Sequence, residues 1–228
     1  GGEEIRVGRV LPRSHPAFAD MAGQRADGAD ACIANVNATG GIHGRRIVIK
    51  ERDDGYDFVR AGRETASLLE HDAVFALLGA FGSPTVPPVI EAATKAGVPL
   101  VGAASIANEA RHPPKKWVFP VRVSAVQEAT VTVKHQMTLG ARRFAVLSSK
   151  EAYGPSGAAA YAEALRNADV PAQEVSFAFA DDAKAVAAQL LHHRPEVILM
   201  STLPKPLGAI LRDYRAAGGA ARLFGLSV

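Results

Sequence analysis

The sequence predicts an α/β protein of two lobes, each a mostly parallel sheet with helices on both faces. Short apolar, β-branched runs alternate with Ala-rich amphipathic stretches of ten or more residues, which is typical of βαβ units. Some runs are continuously apolar, such as Val197 to Met200, as expected for strands buried on both faces. The alternation restarts near Trp117, so we divide the chain into lobe 1 over residues 1–120 and lobe 2 over residues 121–228.

The first series opens with a strand and alternates regularly. Its strands are predicted at 5–11, 47–50, 74–78 and 98–101, and its helices at 17–38, 57–70 and 86–96. Glycine commonly follows the last residue of a helix, and it does so here at Gly40, Gly41 and Gly97. Aspartate is a common N-cap residue, and Asp57 is expected to cap the second helix.

The second series follows an extended segment at 117–123. Its strands are predicted at 144–147, 174–179, 197–200 and from 222, and its helices at 125–139, 156–167, 183–192 and 207–217. Gly140 is expected to end the first of these helices.

Composition favours a globular chain without a nucleic-acid partner. Of the 228 residues, 48% are hydrophobic and 21% charged, which supplies a sizeable core. The net charge of +3 is too small and too dispersed for a nucleic-acid partner. The single cysteine, Cys32, excludes an intramolecular disulfide. The chain shows neither a membrane span nor a signal peptide, and an exported protein after cleavage would look the same.

The sequence lacks the motifs that support catalysis. The dinucleotide-binding, phosphate-loop, nucleophile-elbow and H-E-x-x-H patterns are all missing. His192 and His193 are adjacent, so on a helix their side chains diverge and do not share a metal. The acidic pairs at 53–54 and 181–182 precede helices, where capping is the expected role. We predict no catalytic turnover, no metal and no cofactor.

Ligands of open α/β sheets bind beyond the carboxyl ends of the strands. These segments are 12–18, 79–85, 102–107, 148–156, 201–206 and 225–228. Small residues there let a ligand approach the backbone, and the hydroxyls of Ser83, Thr85 and Ser105 can bind a carboxylate. Pro87 and Pro88 remove two backbone donors from the next helix, so Ser83 and the loop amides would carry more of the binding. The alternative is that Ser83 and Thr85 cap that helix.

Residues 35–47 read Asn-Val-Asn-Ala-Thr-Gly-Gly-Ile-His-Gly-Arg-Arg-Ile. This segment resembles the N-x-x-G-G-I-x-G-[RK]-x-[IVL] motif of substrate-binding proteins for branched-chain and related amino acids in ABC transporters. The phrase Tyr153-Gly154-x-x-Gly157 agrees, and the resemblance runs along essentially the whole chain. It implies a type I periplasmic binding fold, in which a ligand is trapped in a cleft by hinge closure.

The resemblance also implies roles for individual residues. Ser83, Ser105 and the backbone at Ala103 and Ala104 would hold a ligand carboxylate from lobe 1. Tyr153 would cover the ligand from lobe 2, and Phe18 would contribute an aromatic wall.

Two positions depart from the family pattern. In the amino-acid binders an acidic residue near Ser227 holds the ligand ammonium, and an aromatic residue often stands near Leu203. A buried ammonium without a countercharge is costly, so a carboxylate without an amine is an alternative ligand to an amino acid. The family also continues for about another hundred residues, so we expect a missing C-terminal part and an exposed apolar surface on lobe 1.

The expected function is that of the periplasmic, exported ligand-binding component of an ABC-type uptake system. Its partners would be a small amino acid or an aromatic or aliphatic carboxylate, and the membrane permease of the transporter. An alternative is the ligand-sensing domain of a receptor or regulator with the same fold. An α/β enzyme is a third reading, which the missing motifs disfavour and the fold alone does not exclude.

Overall fold

The computed structural model describes residues 4–106, 110–151 and 153–227. The chain divides into two compact units. The first comprises Gly1–Ser105 with Glu109–Arg122, and the second comprises Ile106–Asn108 with Val123–Val228. The assignment of residues 1–120 and 121–228 to separate lobes stays a prediction.

The first unit is built on a five-stranded parallel sheet with the order β2-β1-β3-β4-β5. Its strands are β1 (Ile5–Leu11), β2 (Ile47–Asp53), β3 (Ala76–Leu78), β4 (Leu100–Val101) and β5 (Val118–Phe119). Its helices are α1 (Ala19–Ala38), α2 (Phe58–Glu70) and α3 (Val86–Ala96). The crossover from β1 to β2 runs in one direction along the sheet, and those from β2 to β3 and from β3 to β4 run in the other. Because such crossovers are right-handed, α1 lies on one face and α2 and α3 lie on the other.

The second unit is built on a four-stranded parallel sheet with the order β7-β6-β8-β9. Its strands are β6 (Phe144–Ser149), β7 (Ala172–Phe177), β8 (Val197–Ser201) and β9 (Arg222–Gly225). Its helices are α4 (Ala125–Thr138), α5 (Gly154–Arg166), α6 (Ala183–His193) and α7 (Pro204–Ala216).

Three successive side chains of β8 confirm that this strand is buried on both faces of the sheet. Val197 and Leu199 pack into the core beneath α4 and α5. Ile198, which points the opposite way, packs into the core beneath α6 and α7. All three are 0% exposed. The continuous apolar run therefore reflects two cores that share one strand.

The helix ends follow local chemistry that was visible in the sequence. The Asp57 carboxylate accepts a hydrogen bond from Arg60 N at 2.7 Å and caps α2, and Gly97 ends α3 in the left-handed region. The expectation for the acidic pairs was half wrong: Asp182 caps α6, whereas Asp53 and Asp54 do not cap α2. Asp53 ends β2 and Asp54 follows it, and their carboxylates accept hydrogen bonds from the backbone amides of Gly55 and Tyr56.

A buried charge joins α1 to the sheet of the first unit. Arg9 on β1 is 5% exposed, and its guanidinium forms ion pairs with Asp30 on α1 at 2.7 Å and with Glu51 on β2 at 2.6 Å. Because a buried guanidinium needs its donors satisfied, this pairing ties the position of α1 to the β1–β2 register.

No helix among the described residues has the length and apolarity needed to cross a lipid bilayer.

One face of the first sheet exposes apolar side chains at its β4–β5 edge. Leu100 pairs with Val118, and these side chains are 0% and 7% exposed. Val101 pairs with Phe119, and these are 36% and 51% exposed. Successive residues of a strand point to opposite faces, so one face of this edge is covered and the other is open. Such a surface promotes association.

We predict that Val101→Thr combined with Phe119→Ser reduces self-association of the protein. Sedimentation velocity over a range of protein concentrations measures the change. The control is Val131→Thr, because Val131 is 69% exposed on α4 of the other unit. The prediction is wrong if wild type and the double variant have the same distribution of sedimenting species.

Candidate functional site

The predicted site residues of the first unit follow neighbouring strands at one edge of its sheet. Phe18 follows β1, Ser83 and Thr85 follow β3, and Ala103 to Ser105 follow β4. The strands are parallel, so their carboxyl ends lie along the same edge. A bridge between Phe81 and Ala104 draws two of these loops together. Residues 107, 152 and 228 of the predicted segments lie outside the described residues.

Aromatic rings line part of this edge. Phe18 is 3% exposed and stacks on Tyr56, with ring centroids 4.1 Å apart. His15 lies 4.9 Å from Phe18, and Phe81 lies 6.0 Å from it, between ring centroids. The Arg25 guanidinium stands 5.6 Å from the centre of the Phe81 ring. The Phe18 ring is therefore mostly packed within an aromatic cluster. The sequence did not predict this cluster.

The loop after β3 is held by a close approach of Tyr56. Gly82 has a φ of +110°, and a Cβ atom placed on it would lie 2.5 Å from Tyr56 Cε2 and 2.7 Å from Thr85 Oγ1. Gly82 N donates to the Ala104 carbonyl at 3.0 Å. A side chain at position 82 would therefore force the ring or the loop to move.

Thr85 does not cap α3 with its side chain. Its hydroxyl donates back to the Phe81 carbonyl, although Thr85 occupies the N-cap position. Within the described part of the chain, the Thr85 side chain thus closes the loop and makes no cap hydrogen bond. The capping alternative is wrong for Thr85.

The four other candidate residues at this edge differ in whether their hydrogen-bonding groups already have partners within the protein. Ala104 N donates to the Ala80 carbonyl at 2.7 Å, so its amide already has a partner. Among the described residues, the half-buried Ser83 hydroxyl and the Ala103 amide have no hydrogen-bond partner. Ser105 is 2% exposed. Ser83 and Ala103 are therefore the donors that remain for a ligand.

A buried carboxylate supports the turn that presents Tyr56. Asp54 is 1% exposed and accepts a hydrogen bond from Tyr56 N at 2.8 Å. Burial raises the pKa of Asp54 to about 6, and this effect outweighs the hydrogen bond, which lowers it.

In the second unit, Tyr153 and the two glycines after it pack tightly against strand ends. Tyr153 occupies the N-cap position of α5, and its hydroxyl donates to the Thr202 carbonyl at 2.6 Å. A Cβ atom on Gly157 would lie 2.0 Å from Ser201 Oγ, and one on Gly154 would lie 2.0 Å from the Ser149 carbonyl oxygen. The Tyr-Gly-x-x-Gly segment therefore packs the start of α5 closely against the ends of β6 and β8.

The other two predicted residues of the second unit also lie at strand ends. Leu203 follows β8 as the half-buried N-cap residue of α7. Ser227 follows β9, where its backbone N donates to Glu128 Oε1 at 2.6 Å and its hydroxyl donates to Glu128 Oε2 at 2.8 Å. Sequence reasoning missed Glu128 because it lies 99 residues away, in the first turn of α4.

The described residues contain no group of three or more His, Cys, Asp and Glu side chains placed to hold a metal ion.

A profile of the periplasmic binding protein family matches residues 4–228. The chain belongs to the periplasmic binding protein family. Since the match spans nearly the whole chain, the resemblance seen in the sequence is confirmed. Members of this family are binding proteins and not enzymes, so the family supports the prediction of no catalytic turnover.

Relatives and solved structures agree with this assignment. The chain is 25% identical over 219 residues to the Leu/Ile/Val-binding protein of Escherichia coli K12, covering 95% of this chain and 59% of that protein. It is 26% identical over 221 residues to the Leu/Ile/Val/Thr-binding protein of Salmonella typhimurium, covering 95% and 60%. A substrate-binding periplasmic protein from Ralstonia solanacearum superposes with a TM-score of 0.82 at 27% identity, covering 98% and 64%.

The chain thus spans about 60% of the length of these family members. The two-unit α/β fold agrees with theirs. The ligand contacts predicted for Phe18, Ser83, Thr85, Ala103, Ala104, Ser105, Tyr153, Leu203 and Ser227 stay predictions.

We predict that Gly82→Ala destabilises the protein by about 2–4 kcal/mol, because it combines a strained positive φ with a clash against Tyr56. Urea unfolding measures the free energy. Gly79→Ala is the control for backbone strain alone, since Gly79 has a φ of +70° and a Cβ there meets nothing within 4 Å. Equal losses in the two variants would show that the Tyr56 contact contributes nothing.

We predict that Asp54 makes the protein less stable as pH rises. The folded-state pKa is raised, so the stabilising contribution is fully present below the unfolded pKa of about 4 and is lost as pH rises through about 6. The loss between pH 4 and pH 7 is at most about 3 kcal/mol. Asp54→Asn keeps an acceptor for Tyr56 N and should remove this part of the pH dependence.

Unfolding midpoints at pH 4.5 and 7 for wild type and Asp54→Asn test this, because all other titrating groups cancel in the difference. Asp27→Asn, which removes an exposed carboxylate on α1, controls for net charge. The same pH dependence in wild type and Asp54→Asn would contradict the prediction.

Proposed function

We propose that this chain is the periplasmic ligand-binding component of an ABC-type uptake system, and that its ligand is an amino acid or a related small carboxylate. The observation that carries the proposal is the match to the periplasmic binding protein family along residues 4–228. The relatives named for Leu, Ile and Val binding support a small ligand of this class.

The carboxylate assignment is supported by the donors at the edge of the first sheet. The Ser83 hydroxyl and the Ala103 amide point to a group that accepts hydrogen bonds, since neither has a partner among the described residues. The Phe18 and Phe81 rings are buried behind this edge, at 3% and 7% exposure, and give it an apolar backing. A few polar donors beside apolar surface are typical of small-molecule sites.

The proposed partner is the membrane permease of the transporter, and the proposed location is the periplasm. Hinge closure on the ligand in an inter-lobe cleft stays a prediction of the sequence. A ligand-sensing role is the second candidate. It is supported by a solved structure from Verminephrobacter eiseniae, described as an extracellular ligand-binding receptor, which superposes with a TM-score of 0.84 at 25% identity.

The first test is a thermal-shift screen of amino acids and small aromatic and aliphatic acids. A ligand that binds the folded state alone raises the unfolding temperature. We expect stabilisation by at least one member of these classes. If no amino acid or carboxylate shifts the transition, the proposed ligand class is wrong.

We predict that Ser83→Ala weakens binding of a ligand found in this screen by about 10- to 100-fold, because a hydrogen bond to a charged group contributes about 1.5–3 kcal/mol. Isothermal titration calorimetry measures the affinity, and Ser105→Ala tests the second predicted serine in the same way. Ser67→Ala on α2 is the control and should bind like wild type. Unchanged affinity in both Ser83→Ala and Ser105→Ala would show that neither serine hydroxyl binds the ligand.

A further inference from the structure

A small cavity, which we call the α1 cavity, lies between α1 and the strand ends of the first sheet. Its volume is about 170 Å³. Leu78 and Gly79 line it from the end of β3, Gly102 and Ala104 line it from the segment after β4, and Arg25 lines it from α1. Ligands of open α/β sheets bind at this edge of the sheet.

The α1 cavity and the candidate site are formed by the same two loops. The Ala103 amide, which has no hydrogen-bond partner among the described residues, lies in the chain between the cavity residues Gly102 and Ala104. The Arg25 guanidinium lies 5.6 Å from the centre of the Phe81 ring, which belongs to the loop after β3. Arg25 therefore stands beside the group of residues to which we assign ligand binding.

Arg25 carries a positive charge that no carboxylate balances among the described residues. Its guanidinium takes part in none of the ion pairs or hydrogen bonds found there. Side chains three and four positions away on a helix are near enough to pair, but here they belong to Met21, Ala22, Gly28 and Ala29. The aromatic ring beside it attracts a cation without neutralising it.

The second arginine in the wall of the α1 cavity already has its countercharge. Arg9 forms ion pairs with Asp30 and Glu51, at 2.7 Å and 2.6 Å. Arg13 forms a further ion pair with Glu51 at 2.7 Å. These two arginines and two carboxylates balance one another, so the unbalanced charge at the cavity is that of Arg25.

The chemistry that matches this position is a carboxylate. A guanidinium with unused N–H groups binds a carboxylate through two parallel hydrogen bonds. The cavity holds several times the volume of a water molecule, which is about 30 Å³, so a carboxylate fits within it. Arg25 is exposed to solvent, so a ligand from outside can reach it. An exposed arginine is commonly just solvated, whereas Arg25 lines a cavity and lies beside a buried ring at the ligand-binding edge.

We propose that Arg25 binds a second acidic group of the ligand, so that the ligand is a small dicarboxylate or an acidic amino acid. The Ser83 hydroxyl and the Ala103 amide then hold one carboxylate, and Arg25 holds the other. This inference rests on the proposed function and narrows its ligand class. The resulting ligand differs from those named for the Leu/Ile/Val-binding protein of Escherichia coli, to which the chain is 25% identical.

The test uses pairs of ligands that differ at one end alone. Calorimetry compares glutamate with glutamine, which differ in the charge of the distal group, and glutarate with pentanoate, in which a methyl group replaces one carboxylate. In at least one pair, wild type should bind the acidic member about 10- to 100-fold more tightly, since it gains a charge-assisted hydrogen bond. Arg25→Gln should lose this preference and keep its affinity for the other member.

The variants separate the charge of Arg25 from its structural role. Glutamine is a good helix former, so Arg25→Gln retains α1. Arg25→Lys keeps the charge but loses the paired donors, and it should keep part of the preference. The matched control is Arg212→Gln, which removes an exposed arginine on α7 of the second unit and should keep the full preference.

The outcomes distinguish this inference from the proposed function. If wild type shows no preference within either pair, or if Arg25→Gln keeps the full preference, the inference is overturned and the proposed function stands. If no amino acid or carboxylate of the thermal-shift screen binds, both are overturned. Binding of inorganic sulfate that requires Arg25, without a preference within the pairs, would make the cavity a site for a free anion and would also overturn the inference.

Discussion

Parallel pairing of every strand within each sheet is the constraint on which the rest of the structure depends. It requires a long connection between successive strands of a sheet. Most of these connections contain a helix that covers a face of the sheet, so strands such as β8 are buried on both sides. It also brings the carboxyl ends of all strands in a sheet to the same edge. Apart from the bridge between Phe81 and Ala104, the described loops at this edge lie outside the strand pairing, so their side chains can contact a ligand.

At the edge of the first sheet, some hydrogen-bonding groups hold the loops in place and others remain without a partner among the described residues. Thr85 and Ala104 use their hydrogen bonds to hold the loops after β3 and β4, and Tyr56 presses on Gly82 from the loop after β2. These contacts leave the Ser83 hydroxyl and the Ala103 amide without partners among the described residues. A rigid loop with a few unpaired donors is suited to binding, because less conformational freedom is lost when a ligand arrives.

The edge of the second sheet combines close packing with unsatisfied hydroxyls. Gly157 lies tightly against Ser201, whereas the buried hydroxyls of Tyr161 and Thr202 have no hydrogen-bond partner among the described residues. Glu128 uses both of its carboxylate oxygens to hold Ser227 at the end of β9.

Local patterns in the sequence determined the order and type of the helices and strands, because strand and helix periodicities and helix ends depend on neighbouring residues. Asp57, Gly97 and the apolar run of β8 are examples in which the expected and observed roles agree. Tertiary structure decided the contacts between loops. The approach of Tyr56 to Gly82 and the Glu128–Ser227 pair both join groups whose meeting depends on strand order and helix packing. Residues 99 positions apart carry no local pattern that links them, so their chemistry becomes visible when the sheet brings them to one edge.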